Sequence, residues 1–262
     1  FVKYYLHDDE VVLTQDDDPD FDAGWVDRRG VSGSERDRYG GNPNTVRIQT
    51  RLGLPTETVY ADFVSALSSD GVWTSNHRGD GQASLALRCK GTSQDQYPKN
   101  YPYGPPQPSV VAQGALVWDF RDEDQDPEDP ETWAYSKNSI LILAWHHCFS
   151  EFGHRRNYRK ALLPVIEQWK TEADVCDEDV PLAIGGTEKC YECHGWDTTK
   201  NDPKSGTNAI LATCDGWLCE RGDGALLPVV GKVREQYIGT ITDEDIIGAR
   251  IDDDVPFAEE IN

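Results

Sequence analysis

The chain has 262 residues, enough for one large domain or two of ordinary size, and for a real core without disulfide staples. Its 47 acidic against 25 basic residues leave a net charge of −22, which works against holding nucleic acid through its phosphates. The longest apolar run, Ile140 to Trp145, falls far short of the ~20 residues of a membrane helix, so no stable membrane insertion is expected.

The acid is unevenly spread: 16 acidic and 11 basic residues stand up to position 108, and 31 and 14 beyond it. There is no Met, and Phe1 to Leu6 is strand-like rather than built as a signal peptide, so a processed chain or a piece of a longer one is expected. Seven cysteines, an odd number, fit poorly with a full disulfide framework and point to a reduced assembly compartment.

From Phe1 to Thr14, two extended runs flanking His7-Asp8-Asp9-Glu10 read as a hairpin, followed by a polar loop to about Asn44. Val46 to Leu52 alternates apolar and polar with period two, predicting a strand with one wet face. A short helix is predicted from Leu54-Pro55-Thr56-Glu57 to about Leu67 with Thr56 as N-cap, then a strand over Ala83 to Lys90. Gly91 to Pro108 is rich in Gly, Pro, Tyr, Asn, Ser and Gln, the make-up of a linker or long loop, and a boundary is placed there.

Val110 to Phe120 resumes as a strand, and Asp119 to Glu131 crowds acidic residues into a loop. A helix over Ser136 to Phe149, apolar through its centre, should be buried on most of its circumference. A second, beginning near Pro164, puts Leu162, Val165, Ile166, Trp169, Ala173 and Cys176 on one stripe. Gly185-Gly186 marks a turn, Lys189 to Trp196 reads as a strand, and Asn208 to Asp215 as a short helix stopped by Gly216. Leu226 to Val230 and Ile246 to Ile251 are further strand candidates. The fold class expected is α+β: a mostly β part over 1–108, then a mixed α+β domain over 109–262.

Cys190-x-x-Cys193-His194, with Cys214 and Cys219 following, raises three possibilities: thiols in core or surface, a zinc or iron–sulfur site, and a haem attachment. In a strand, Cys190, Glu192 and His194 share one face and Tyr191 and Cys193 the other, so the two cysteines diverge. Tyr191-Glu192 also lacks the Gly, Asn or Pro of a zinc-knuckle turn, and Cys214 lies on the apolar face of its helix. The thiol reading is preferred, with no cofactor.

Asp122-x-Asp124-x-Asp126 opens like a calcium loop, but Pro127 and Trp133 stand where an EF-hand needs Gly and Glu. Arg78-Gly79-Asp80 and Arg221-Gly222-Asp223 read as turn chemistry, and His146-His147 as a helix-end pair, since adjacent helical side chains point about 100° apart. No Gly-flanked nucleophile elbow is present, and no catalytic residue is assigned. Trp25, Trp73 and Tyr97 to Tyr103 could form an aromatic sugar platform, or a loop clasped by aromatic packing.

Six segments in order resemble one known family: RIQTRLGLPTETVYADFV (Arg47 to Val64), WTSNHRGDGQASL (Trp73 to Leu85), VWDFRDEDQDPEDPETWAYSKNSILIL (Val117 to Leu143), EADVCDEDV (Glu172 to Val180), GGTEKCYECHG (Gly185 to Gly195) and LATCDGWL (Leu211 to Leu218). The resemblance is to the central tail hub, or tip attachment protein J, of siphophages, with relatives in prophages and gene transfer agents, and it spans Arg47 to about Asp254. The family usually carries an Arg-Tyr-x-Cys-Asn-Gly type of segment where Tyr191 and Cys193 stand, so Cys190 and His194 depart from its pattern.

The resemblance implies a non-enzymatic virion protein at the tail tip, assembled in the host cytoplasm as a homotrimer around the tail axis. Its partners would be the distal tail protein, other hub and tape measure proteins and the tail fibres, with DNA only in transit during ejection. It also implies that 1–108 is an insertion subdomain outside the hub domain, and that the chain is a fragment, since family members are much longer and PFAEEIN resembles the approach to a further hub segment. Carboxylates in Asp119 to Glu131 and Asp243 to Asp254 would then repel passing phosphates. The alternatives are a metal- or redox-dependent domain on Cys190, Cys193, Cys214 and Cys219, and a receptor- or glycan-binding tip module. Structural anchors expected from periodicity or motif match are Trp118, Trp169, Cys176, Tyr191, Cys193 and Trp217.

Overall fold

A computed structural model describes residues 1–15, 23–26, 39 and 45–234. Small antiparallel sheets and short helices make a mixed α+β fold, divided into two compact units, Phe1–Ala115 and Leu116–Asn262. The expected strand over Ile246 to Ile251, the acidic cluster Asp243 to Asp254 and most of the loop expected before Asn44 lie outside the described residues.

In the first unit, β1 (Lys3–Leu6) and β2 (Asp9–Val11) form the expected hairpin, with Tyr4 opposite Val11 and His7 turning at φ 54°. β3 (Leu13–Gln15), β4 (Ala23–Val26), β5 (Val46–Arg51) and, after α1 (Ala61–Leu67), β6 (Ser84–Cys89) make a four-stranded sheet in chain order. β4 falls where only a loop was expected.

β5 does not have the wet face its alternation predicts: five of its six residues are buried. The polar side chains on that face are covered and paired. Arg47 makes an ion pair with Asp62 of α1, while Arg51 donates to Thr58 O and Val59 O, both at 3.0 Å, and lies over the Tyr60 ring.

The same contacts explain why α1 starts at Ala61 instead of after Thr56. The buried Glu57 carboxylate accepts from the N–H groups of Gly53 (2.8 Å), Leu54 (2.9 Å) and Thr58 (3.3 Å), which ties 53–58 into a loop. Gly53 is required there, with φ +84° and a Cβ position 2.5 Å from Ala83 N.

Gly91 to Pro108 is not a linker. It holds a helical turn, α2 (Tyr97–Asn100), and buries Tyr101, whose hydroxyl donates to Lys90 O at 3.0 Å. The chain then enters β7 (Pro108–Val111), which pairs with β1 from Lys3↔Val111 to Leu6↔Pro108. That pairing carries the boundary from 108 to Ala115 and splits the strand expected over Val110 to Phe120.

In the second unit, β8 (Leu116–Val117) pairs with β9 (Ala134–Tyr135), and the acidic segment between them is a loop with one 3-10 turn, Pro130–Thr132. α3 (Ser139–Cys148) begins later than Ser136 because Asn138 caps it, accepting from Ile140 N at 3.0 Å and Leu141 N at 3.3 Å. It is buried nearly all round, as expected. α4 (Tyr158–Ala161) and a 3-10 turn, Leu163–Val165, lead into α5 (Ile166–Cys176). The apolar stripe holds: Leu162, Trp169, Ala173 and Cys176 are fully buried.

β10 (Asp179–Pro181) and β11 (Thr187–Lys189) form a hairpin turned by Gly185 and Gly186, both at φ +90°. α6 (Pro203–Ala212) starts five residues before the expected Asn208, because Asp202 caps it and Pro203 suits its first turn. β12 (Trp217–Glu220), which was not expected, pairs with β13 (Leu226–Val229).

Trp169 is the best test of this core. Its side chain is 0% exposed and its indole N–H donates to Leu226 O at 2.8 Å. Trp169→Ala should cost about 3–5 kcal/mol by urea denaturation, and Trp169→Phe, which strands the Leu226 carbonyl, about 1–3 kcal/mol. Losses below about 1 kcal/mol in both would mean that the core does not centre on this residue.

Candidate functional site

Two places in the second unit bring histidine together with other titratable groups. The first is the segment around Tyr191. The expected strand over Lys189 to Trp196 stops at Lys189, because β10 begins at Asp179 and the residues before it belong to the end of α5 and its cap. The chain instead lies along the end of α5: Cys190 N–H donates to Glu178 O (2.8 Å), Tyr191 N–H to Cys176 O (3.1 Å) and Cys193 N–H to Lys137 O (2.7 Å).

Alternation survives without the ladder. Tyr191 packs on the core and donates its hydroxyl to Gly231 O at 2.5 Å. Glu192 and His194 share the other side, 2.9 Å apart, with Lys137 at 3.4 Å from Glu192. The His194 contact, helped by Lys137 and against the opposing effect of burial, leaves the Glu192 carboxyl below its ordinary range. A shallow cleft of about 460 Å³ opens here, lined by Asp179, Thr187, Glu188, Lys189, Glu192 and His194.

The four cysteines weighed for a metal or redox site differ widely in burial, and Cys193 lies close enough to Cys214 to raise its thiol pKa. Cys214 is fully buried, Cys190 and Cys193 are half-buried, and Cys219 is exposed on β12. Among the described residues, no group of three or more His, Cys, Asp or Glu side chains is placed to hold a metal ion. Burial pushes the Cys176 thiol up to about 12 and the Cys214 thiol up to about 11. Neither thiol supplies a thiolate near neutral pH.

Of the expected anchors, Trp118, Trp169 and Cys176 are buried, and Tyr191 packs against the same core. Cys193 is half-buried, and burial raises its thiol pKa. Trp217 is a correction: it is 53% exposed, because β12 turns Leu218 to the core, opposite the buried Pro228, and Trp217 to solvent. The two Arg-Gly-Asp triplets are turns closed on themselves, with Arg78 2.6 Å from Asp80 and Arg221 2.5 Å from Asp223. Of the residues expected in an aromatic platform, the Trp25 side chain lies outside what the structure describes. Trp73 packs edge-on against Phe63 and stacks on His77, and Tyr101 is buried.

The second place is one the sequence reading missed. His146 and His147 end α3, and His154 returns to them, so the three rings meet instead of diverging. His147 and His154 stack with centroids 4.4 Å apart and planes at 9°, while His146 stands edge-on to them at 5.9 and 5.6 Å. The return is tight: a Cβ on Gly153 would lie 1.8 Å from His146 O, so only glycine passes there. That glycine, six residues after a His pair at a helix end, was the available signal.

From α6, Thr207 Oγ1 reaches His147 Nε2 (3.2 Å), His154 Nε2 (3.0 Å) and Pro203 O (3.2 Å). His146 Nε2 lies 2.9 Å from Pro203 O, and since a carbonyl only accepts, His146 carries its proton on Nε2. His147 Nδ1 is buried with no partner. A bare lone pair is better tolerated there than an orphaned N–H, which places the His147 proton on Nε2, toward Thr207.

No family model matches the chain, and no curated protein matches it either.

The thiols give a direct check on the burial pattern. With the folded chain under an alkylating reagent at neutral pH, peptide mapping should find Cys219 modified first and Cys176 and Cys214 protected until denaturant is added. Early modification of Cys176 or Cys214 would show that the core around α5 opens readily.

Proposed function

We propose that the chain is a structural component of a phage tail tip, part of the central hub that joins tail tube to tip fibres and borders the path of the ejected DNA. The observation that carries this reading is the fate of the motif residues on which the resemblance rests. In the second unit they build the framework: Trp118, Phe120, Asn138, Glu172, Cys176 and Cys214 are all buried, in one core or in its hydrogen bonds. A signature spent on packing suits a protein that works through its surfaces and its shape.

The acidic loop fits the same role. Asp122, Glu123, Asp124, Asp126, Glu128, Asp129 and Glu131 are exposed, and the loop holds itself by local turns such as Asp122 Oδ1 to Asp124 N–H (3.0 Å) and Asp126 Oδ1 to Glu128 N–H (2.8 Å). A fixed loop of solvent-facing carboxylates repels phosphate and discourages DNA from sticking in transit. The homotrimer, its neighbours in the tail and its place in the virion belong to this proposal.

Purified particles from the producing host should contain peptides of this chain, and cross-linking mass spectrometry should place three copies beside tail proteins. Intact-mass measurement of the particle-associated chain gives the length of the whole protein. Recovery of the chain only as a free monomer outside particles would overturn the proposal.

A further inference from the structure

We propose that His146, His147 and His154 form an acid-operated latch, which holds α6 and the 149–157 return against the end of α3 and releases them when His147 takes up a proton. The geometry sets the trigger. In the closed form His147 donates from Nε2 to Thr207, so a second proton must go to Nδ1, which is buried and faces no acceptor. The ring cannot accept it without exposing that edge, and to do so the end of α3 must part from what covers it.

α3, the return, α6 with its approach, and β12 all contribute to the cover. From α3 itself come His146 and Cys148; from the return, His154 and Arg156; from α6 and its approach, Thr207, Asp202 and Asp197; from β12, Glu220. The far end of the return is tied down by His154 N–H to His146 O (3.2 Å) and Arg156 N–H to His147 O (2.8 Å). Arg156 is in turn held by both oxygens of Glu220, at 2.8 and 2.9 Å. α6 contributes Pro203 O and Thr207 Oγ1, which together bond the three ring Nε2 atoms. Gly206 is also required, because a Cβ there would lie 2.9 Å from the His146 ring. The latch is therefore a joint between two helices through imidazole nitrogens.

The direction of the pH response follows. Burial, then His154, His146 and Arg156, push His147 down to about 3 from its ordinary 6.5, and burial with His146 and Arg156 also lowers His154. Closure is at full strength above about 6.5. As pH falls from there toward 3, the open form binds a proton that the closed form refuses, and the latch weakens nearly tenfold per pH unit. Between pH 7 and pH 5 the opening equilibrium should rise about 25-fold from His147 alone.

Hydrogen exchange of the full chain, followed by mass spectrometry at about pH 7 and pH 5 and corrected for intrinsic rates, tests this. The wild type should show a rise of about 25-fold in α6 and 149–157, with α5 and the β12–β13 ribbon changing several-fold less. His147→Gln keeps an N–H for Thr207 but takes up no proton, and should lose most of that rise. An equal rise in His147→Gln, or equal loosening of α5 and β12–β13, would overturn the latch. Should the variant not fold, NMR titration of the wild-type rings decides: a His147 transition near 6.5 in the folded chain refutes the proposal, and one below 5 supports it.

Discussion

Four polar links radiate from α5, and the second unit depends on all of them being made at once. The helix buries the apolar Trp169, Ala173 and Cys176 together with the charged Glu172. Each position also closes a hydrogen bond to a different element. Trp169 donates to Leu226 O in β13 (2.8 Å), and Glu172 accepts from Val230 N–H (2.9 Å) and pairs with Arg234 (2.5 Å). Ala173 O accepts from the Asn138 side chain (2.8 Å), and Cys176 O from Tyr191 N–H (3.1 Å). Burying these groups unpaired would cost about 1–3 kcal/mol each, so the elements around α5 have little freedom to shift. Apolar area attracts them to the helix, and the polar links fix where they stop.

Asn138 shows how one side chain sets two elements together. Its carboxamide oxygen accepts from the first turn of α3, while its nitrogen donates to the end of α5. Start of one helix and end of the other are thereby locked in register, which a generic cap such as serine could not do because it lacks the second arm. The first unit uses arginine to the same end. Arg47 and Arg51 cover a face of β5 that hydrophobic patterning would leave wet, because each guanidinium finds carboxylate or carbonyl partners in the chain that follows the strand.

These cases mark what was legible in the sequence. The helical stripe from Leu162 to Cys176, the hairpin at His7 and the Gly185-Gly186 turn follow from periodicity and turn chemistry, both of which are local. The late start of α1, the dry face of β5 and the packed course of Gly91 to Pro108 were not legible, because each depends on a side chain bonding backbone that periodicity does not register: Glu57, Arg51 and Tyr101. Trp217 was misjudged by one position of strand alternation, within a strand that had not been expected. The histidine cluster was hidden for a related reason. The 100° rule correctly separates neighbours on one helix, but here the chain reverses over Gly153 and brings a third ring to both.

Charge and histidine act on this fold at different pH, and that separation gives the cluster its significance. A chain at −22 is strained by self-repulsion near neutrality, and protonating carboxylates relieves it only near their ordinary range of about 4. Some carboxylates titrate lower still. Arg121 lies 2.8 Å from Asp119, 2.9 Å from Asp174 and 2.8 Å from Asp177, and the hydrogen bonds and charge of that guanidinium outweigh the opposing effect of burial on Asp119 and leave its carboxyl below the usual range. The Asp119–Arg121 pair at the start of the acidic loop therefore persists in mild acid. Among the described residues, the interval between about 6.5 and 4 is where the joint between α3 and α6 responds through His147. Mild acid is expected to loosen one helix of the second unit rather than melt the unit, because the groups that resist protonation there are not the groups that hold its centre.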